Sequence, residues 1–179
     1  MAFGSGAKFG KMGIAALAAS LGLLAAPLAV AQTNTIATAG YWKAFAGKSN
    51  SGTPLCGMSA TGKGLFFSIK VYRGDDDMTV QLGSERWKIK DGAKQKVVMR
   101  FDREAPWRAT ATGFHFRDGD AGLEFSVKTK NLESFLKDFA KSQKLRIEFE
   151  GSDVDGWTAD LTGTAAVTVA FGNCVEKRL

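Results

Sequence analysis

Lys144-Leu145-Arg146-Ile147-Glu148-Phe149-Glu150 decides the reading of this chain. Leu145, Ile147 and Phe149 alternate without a break against Lys144, Arg146, Glu148 and Glu150. In a β-strand that pattern sends every second side chain into a core and leaves its neighbours in water. A helix would scatter the same three apolar groups around its axis. The period recurs in both directions along the chain. Leu123, Phe125 and Val127 alternate with Glu124, Ser126 and Lys128, and Leu65, Phe67, Ile69 and Val71 with Phe66, Ser68, Lys70 and Tyr72. Shorter alternations occur at Trp87/Ile89, Val97/Met99/Phe101, Trp107/Ala109/Ala111, Trp157/Ala159/Leu161 and Ala165/Val167/Val169/Phe171.

Turn formers punctuate these runs at Gly74-Asp75-Asp76-Asp77, Asp91-Gly92, Asp118-Gly119-Asp120 and Asp155-Gly156. Short strands at such spacing predict a mainly β protein, a single antiparallel β-sandwich or barrel-like domain. One segment breaks the period. Leu132, Phe135, Leu136 and Phe139 fall at i, i+3, i+4 and i+7, with Glu133, Lys137, Asp138 and Lys141 opposite them. This predicts one short amphipathic helix over 131–141, with Asn131 as its N-cap.

The amino terminus has a different composition. Lys8 and Lys11 precede an apolar run from Met12 to Leu28, and Ala29-Val30-Ala31 follows as small-x-small. These are the parts of a secretory signal peptide, with cleavage expected before Gln32. The run is short and rich in Gly and Ala for a bilayer span. The expected organisation is a signal peptide at 1–31, a small, polar, flexible leader at 32–40, and a β-rich domain at 41–179. Losing Lys8 and Lys11 lowers the formal charge from +6 to +4. An outer-membrane barrel would need an outward apolar band between aromatic girdles, whereas these strands carry charge on their polar faces.

Cys56 and Cys174 are the chain's two cysteines. In an oxidising compartment an isolated pair of this kind forms one disulfide, here closing most of the domain. Loop closure on that scale contributes about 4–5 kcal/mol in the chain-entropy description. A redox-active pair would instead sit close together as C-x-x-C.

The catalytic motifs fail one by one. The lone histidine, His115, is expected on the polar face of a strand opposite Phe114 and Phe116, with no nucleophile assigned to it. Gly57-Met58-Ser59-Ala60-Thr61 lacks the second glycine of a nucleophile elbow. Gly47-Lys48-Ser49 matches the end of a phosphate loop, but Trp42 stands where the upstream glycine is required. One His and two paired Cys cannot build a zinc site, and the acidic turns lack the twelfth-position Glu of a calcium loop. Glu124 and Glu148 are acids that a carboxylate hydrolase would need face to face. No metal or cofactor is expected.

The basic segment between Arg86 and Arg103 is more suggestive. Arg86, Lys88 and Lys90 would share one face of an alternating strand, with Trp87 and Trp107 nearby. A positive face flanked by aromatics suits an anionic polymer or a lipid head group. Nucleic acid would use the same electrostatics, but export argues against it as a partner.

Several short stretches also carry a resemblance. They are Tyr41-Trp42-Lys43-Ala44-Phe45, Cys56-Gly57-Met58-Ser59, the run from Phe66 to Val71, Trp87-Lys88-Ile89-Lys90-Asp91-Gly92, and the close at Ala165-Ala166 and Ala170-Phe171-Gly172-Asn173-Cys174. Together they resemble the small exported alphaproteobacterial proteins of the invasion-associated locus B family. That family typically has a further cysteine just after the opening Trp, where this chain has Phe45 and no thiol. The resemblance implies a signal peptide, a β-rich domain with a Cys near each end, and an exported, non-enzymatic, envelope- or host-associated role. It supplies no binding residues. The resulting expectation is a periplasmic or secreted, non-catalytic envelope or host-interaction module. Its partner would be an anionic envelope polymer or lipid, or another envelope protein. The alternatives are a small hydrolase using carboxylates and a small-ligand carrier, the latter marked by an apolar cavity.

Overall fold

The computed structural model describes residues 32–179. The expected signal peptide at 1–31 lies outside the described residues. Ten strands follow in chain order: β1 (Gln32–Ala39), β2 (Trp42–Lys48), β3 (Pro54–Gly62), β4 (Leu65–Tyr72), β5 (Asp77–Ser84), β6 (Lys94–Phe101), β7 (Trp107–His115), β8 (Ala121–Lys128), β9 (Lys144–Glu150) and β10 (Trp157–Asp160). Helix α1 (Leu132–Lys141) lies between β8 and β9, and α2 (Thr164–Arg178) ends the chain. All ten strands join one open antiparallel sheet in the order β1-β2-β3-β4-β5-β8-β7-β6-β9-β10. The mainly β, barrel-like expectation is therefore met, with every neighbouring pair antiparallel.

The sheet curls around its own apolar face. Trp42 of β2, Phe67 of β4, Phe101 of β6 and Leu145 of β9 all belong to a single buried cluster. Phe139 of α1 touches three of them, with ring centroids 4.9 Å from Trp42, 5.9 Å from Phe67 and 6.0 Å from Phe101. In the sheet order β2 and β6 stand far apart, so one ring reaches both only because the strands between them bend round it. Phe135 extends the plug toward Phe101 and Trp107, each 5.3 Å away. The helix starts where its apolar spacing predicts, although the Asn131 side chain makes no capping bond.

Three expectations need correction. The alternation Ala165/Val167/Val169/Phe171 is not a strand but part of α2. There Thr164, Val167, Thr168, Phe171 and Cys174 are the buried positions, a helical stripe. The stripe lies against β1, β2 and β3, and the Cys56–Cys174 disulfide fastens it, with Cα atoms 5.9 Å apart. Residues 32–40, expected as a flexible leader, form the edge strand β1, paired with β2 along its length. Trp87 and Ile89 do not sit on a strand either. Residues 85–93 are the irregular connection by which the chain passes from β5 to β6, leaving room for β8 and β7 between them. That connection packs so close to Gly113 of β7 that a Cβ there would collide with the Lys90 carbonyl and the Ile89 side chain.

The opposite face of the sheet also depends on small residues. Phe45 lies over Gly57, and Phe66, Phe114 and Phe116 cluster over the paired Gly83 and Gly122. The expected orientation at 114–116 is thus inverted. The two phenylalanines take the outer face, and His115 turns to the Asp91 carboxylate, 2.7 Å from its Nδ1. Among the described residues, no helix is long and apolar enough to cross a membrane.

Truncating the plug tests this account. Phe139→Ala should cost about 3–5 kcal/mol of stability, read from urea unfolding. A loss below about 1 kcal/mol would show that Phe139 does not hold the curl.

Candidate functional site

The sheet does not close, and its open end carries a cleft of about 280 Å³. Three elements build it: the β1–β2 turn at Tyr41, the β3–β4 hairpin around Lys63, and the edge strand β10 from Trp157 to Asp160. The lining is mainly apolar, with Trp42, Ala60, Leu65 and Phe67 among its walls. One indole ties the edges together, since Trp42 Nε1 donates to the Asp160 carbonyl at 2.9 Å. Tyr41 stands at the mouth with 76% of its surface exposed.

The polar groups of the cleft have distinct states. Leu161 N–H donates to the Gln143 carbonyl at 2.8 Å. Antiparallel alternation then turns the backbone N–H and C=O of Thr158 and Asp160 away from β9, toward the open edge. Asp160 is held as a carboxylate by the hydroxyl and backbone N–H of Thr162, with Lys144 adding charge, so its pKa lies below the usual value. Trp157 Nε1, by contrast, is shut off from water and meets no acceptor. A buried unpaired donor costs about 1–3 kcal/mol.

Lys63 forms the rim. With Gly64 it makes the two-residue turn between Gly62 and Leu65, both central residues at positive φ (53° and 71°). Such turns ordinarily take Asn-Gly or Gly-Gly. A lysine there carries about 1–2 kcal/mol of left-handed strain. Among the described residues no carboxylate lies within ion-pair distance of Lys63, although Glu85 rests against the neighbouring Gly64.

The residues singled out from sequence are placed elsewhere. Arg86, Lys88 and Lys90 are exposed and alternate along the 85–93 connection, so they do share a side. None of them forms an ion pair among the described residues. Trp87 is not beside them on the surface. It is buried against Phe149 with Nε1 donating to the Asp155 carbonyl. Trp107 is half-buried and holds α1 through Asp138, 3.1 Å from its Nε1. Of the basic residues of β6, Arg100 pairs with Glu148, Lys96 stands opposite Glu150, which takes Arg108, and Lys94 donates to the Thr112 hydroxyl.

The hydrolase arrangement does not form. Glu124 accepts from Gln81 on one side of β8, and Glu148 lies three strands away, at least ~14 Å at the usual strand spacing. Ser59 is buried opposite Ser68, whose hydroxyl finds no partner. The acidic turns bring together no group of three metal-ligating side chains among the described residues. A second, more open hollow at the α1–β9 turn has a charged and polar lining, in which Asp102 accepts from the Gln143 and Lys144 N–H groups at 2.8 and 2.9 Å.

Comparison with protein-family models, curated proteins and solved structures finds no match. The cleft left no continuous trace in the sequence because its three walls, at Tyr41, Lys63 and Trp157, lie far apart along the chain. The Lys63-Gly64 turn was its one local signal, a hairpin turn with a cation where Asn is usual.

Lys63→Gly should relieve the backbone strain and raise stability by about 1 kcal/mol, measured by urea unfolding. An unchanged or lower stability would mean that the lysine contributes contacts offsetting its strain.

Proposed function

We propose that this chain is an exported, non-catalytic binding module, and that the open-end cleft holds the apolar part of its ligand. The observation that carries the reading is an apolar cleft of about 280 Å³ with Trp42, Phe67 and Trp157 in its walls, built where the sheet fails to close. Pockets for small molecules share this make-up, mostly apolar walls with a few convergent polar groups. Of the functions weighed from sequence, the small-ligand carrier is the one marked by such a cavity. Export is supported by the Lys8/Lys11, apolar-run and Ala29-Val30-Ala31 pattern. The buried Cys56–Cys174 bridge fits an oxidising compartment such as the periplasm. The resemblance to the invasion-associated locus B family points to the same envelope setting.

A second surface favours a second contact. Arg86, Lys88 and Lys90 project from one side of their segment and form no ion pair among the described residues, which suits an anionic envelope polymer or head group. It would position the module at the envelope and leave the cleft free.

Each surface has its own test. The mature protein should enhance the fluorescence of N-phenyl-1-naphthylamine, and Ala60→Leu, which fills the cleft, should abolish the enhancement while folding is retained. No enhancement by the wild type would overturn the cleft reading. For the second surface, Lys88→Glu with Lys90→Glu should weaken retention on an anionic matrix, with the difference vanishing at high salt. Equal retention of wild type and variant at low salt would rule it out.

A further inference from the structure

We infer that the cleft selects a single-chain anionic amphiphile, with its apolar tail against Trp42, Phe67 and Trp157 and its carboxylate at Lys63. The inference rests on the cleft being a ligand site and adds the class of ligand. Charge complementarity carries it. Two ionised side chains line the cleft, Lys63 and Asp160. Asp160 is already engaged by Thr162 and faces Lys144. Among the described residues, Lys63 has no carboxylate within ion-pair distance. Glu85, which rests against Gly64, lies outside the lining, so the cation is the charge that the lining itself leaves without a partner, and a ligand completing it brings a negative head.

The backbone adds an independent argument. A two-residue hairpin turn gains nothing from lysine at φ 53°; glycine or asparagine would fit with less strain. Strain held at the rim of a cavity points to a role for the side chain rather than for the turn. Lysine has the reach for it, a flexible apolar stem along the mouth and a point charge at its end. The tail must be slender, since about 280 Å³ between Tyr41, Leu65 and Thr158 accommodates one chain or one ring system.

The test is calorimetric titration of the mature protein with decanoate, decanol and decyltrimethylammonium, each below its aggregation threshold. The wild type should bind decanoate about tenfold more tightly than decanol, the worth of one partly screened charge contact, and the cationic amphiphile most weakly. Lys63→Gln and Lys63→Gly should bind decanoate and decanol alike, whereas Lys63→Arg should keep the preference. The glycine variant separates the role of the charge from folding, because it removes the preference in a protein at least as stable as the wild type. Equal affinities in the wild type, or a preference that survives in Lys63→Gln, would overturn the inference and leave the cleft as a neutral apolar site. Binding of none of the three would overturn the cleft reading itself.

Discussion

The fold depends on one aromatic ring being shared by distant parts of the sheet. Phe139 meets Trp42, Phe67 and Phe101 at once, and those residues sit on strands that no hydrogen-bond ladder joins directly. Ladders fix neighbours; they do not say how far a ten-stranded sheet bends. The bend is set by what fills its hollow, here α1 with Phe135 and Phe139 fully buried. With α1 filling the middle of the hollow and α2 covering β1, β2 and β3, the last short strand, β10, reaches the far side through the Trp42–Asp160 bond and the Phe67–Trp157 ring contact rather than through a ladder. The cleft is what remains at that imperfect seam.

Much of the architecture was legible because a half-buried strand has a simple signature. Residues 144–150 became β9 with Leu145 and Ile147 fully buried, and residues 65–72 became β4 in the expected phase. The amphipathic helix was equally plain. What failed did so for identifiable reasons. Between Ala165 and Phe171 two periods overlap, since Val167 and Phe171 satisfy both every-second and every-fourth spacing. Packing on β1, β2 and β3 and the bridge at Cys174 chose the helix. Trp87 and Ile89 alternate with lysines just as a strand would, yet they anchor a crossing connection, and only the sheet order distinguishes the two. The orientation at 114–116 was inverted because the outer face takes its phenylalanines onto glycines, a device that polarity patterns do not register. The two cysteines were paired correctly, since two thiols allow a single connectivity within the chain.

The outer face shows how a basic sequence segment can differ from a basic surface. Charges collected along residues 86–103 divide into two populations once folded. Those of β6 meet polar groups across the ladders, Arg100 in a half-exposed pair with Glu148 that is worth little by itself, Lys96 opposite Glu150, and Lys94 at the Thr112 hydroxyl. Those of the 85–93 connection lie along β7 at Gly113, exposed and without an ion pair among the described residues. Position in the sheet, rather than residue type, determines which cations remain available to a partner.

The Cys56–Cys174 bridge also has a consequence for the order of events in biogenesis. It spans 118 residues and joins β3 to α2. While the chain emerges, the inner faces of β1, β2 and β3 have no cover, and Cys56 has no thiol to meet. Oxidation is thus coupled to the arrival of α2 on β1, β2 and β3. The staple then works as a record of that docking, closing only on molecules in which the sheet has received its cover.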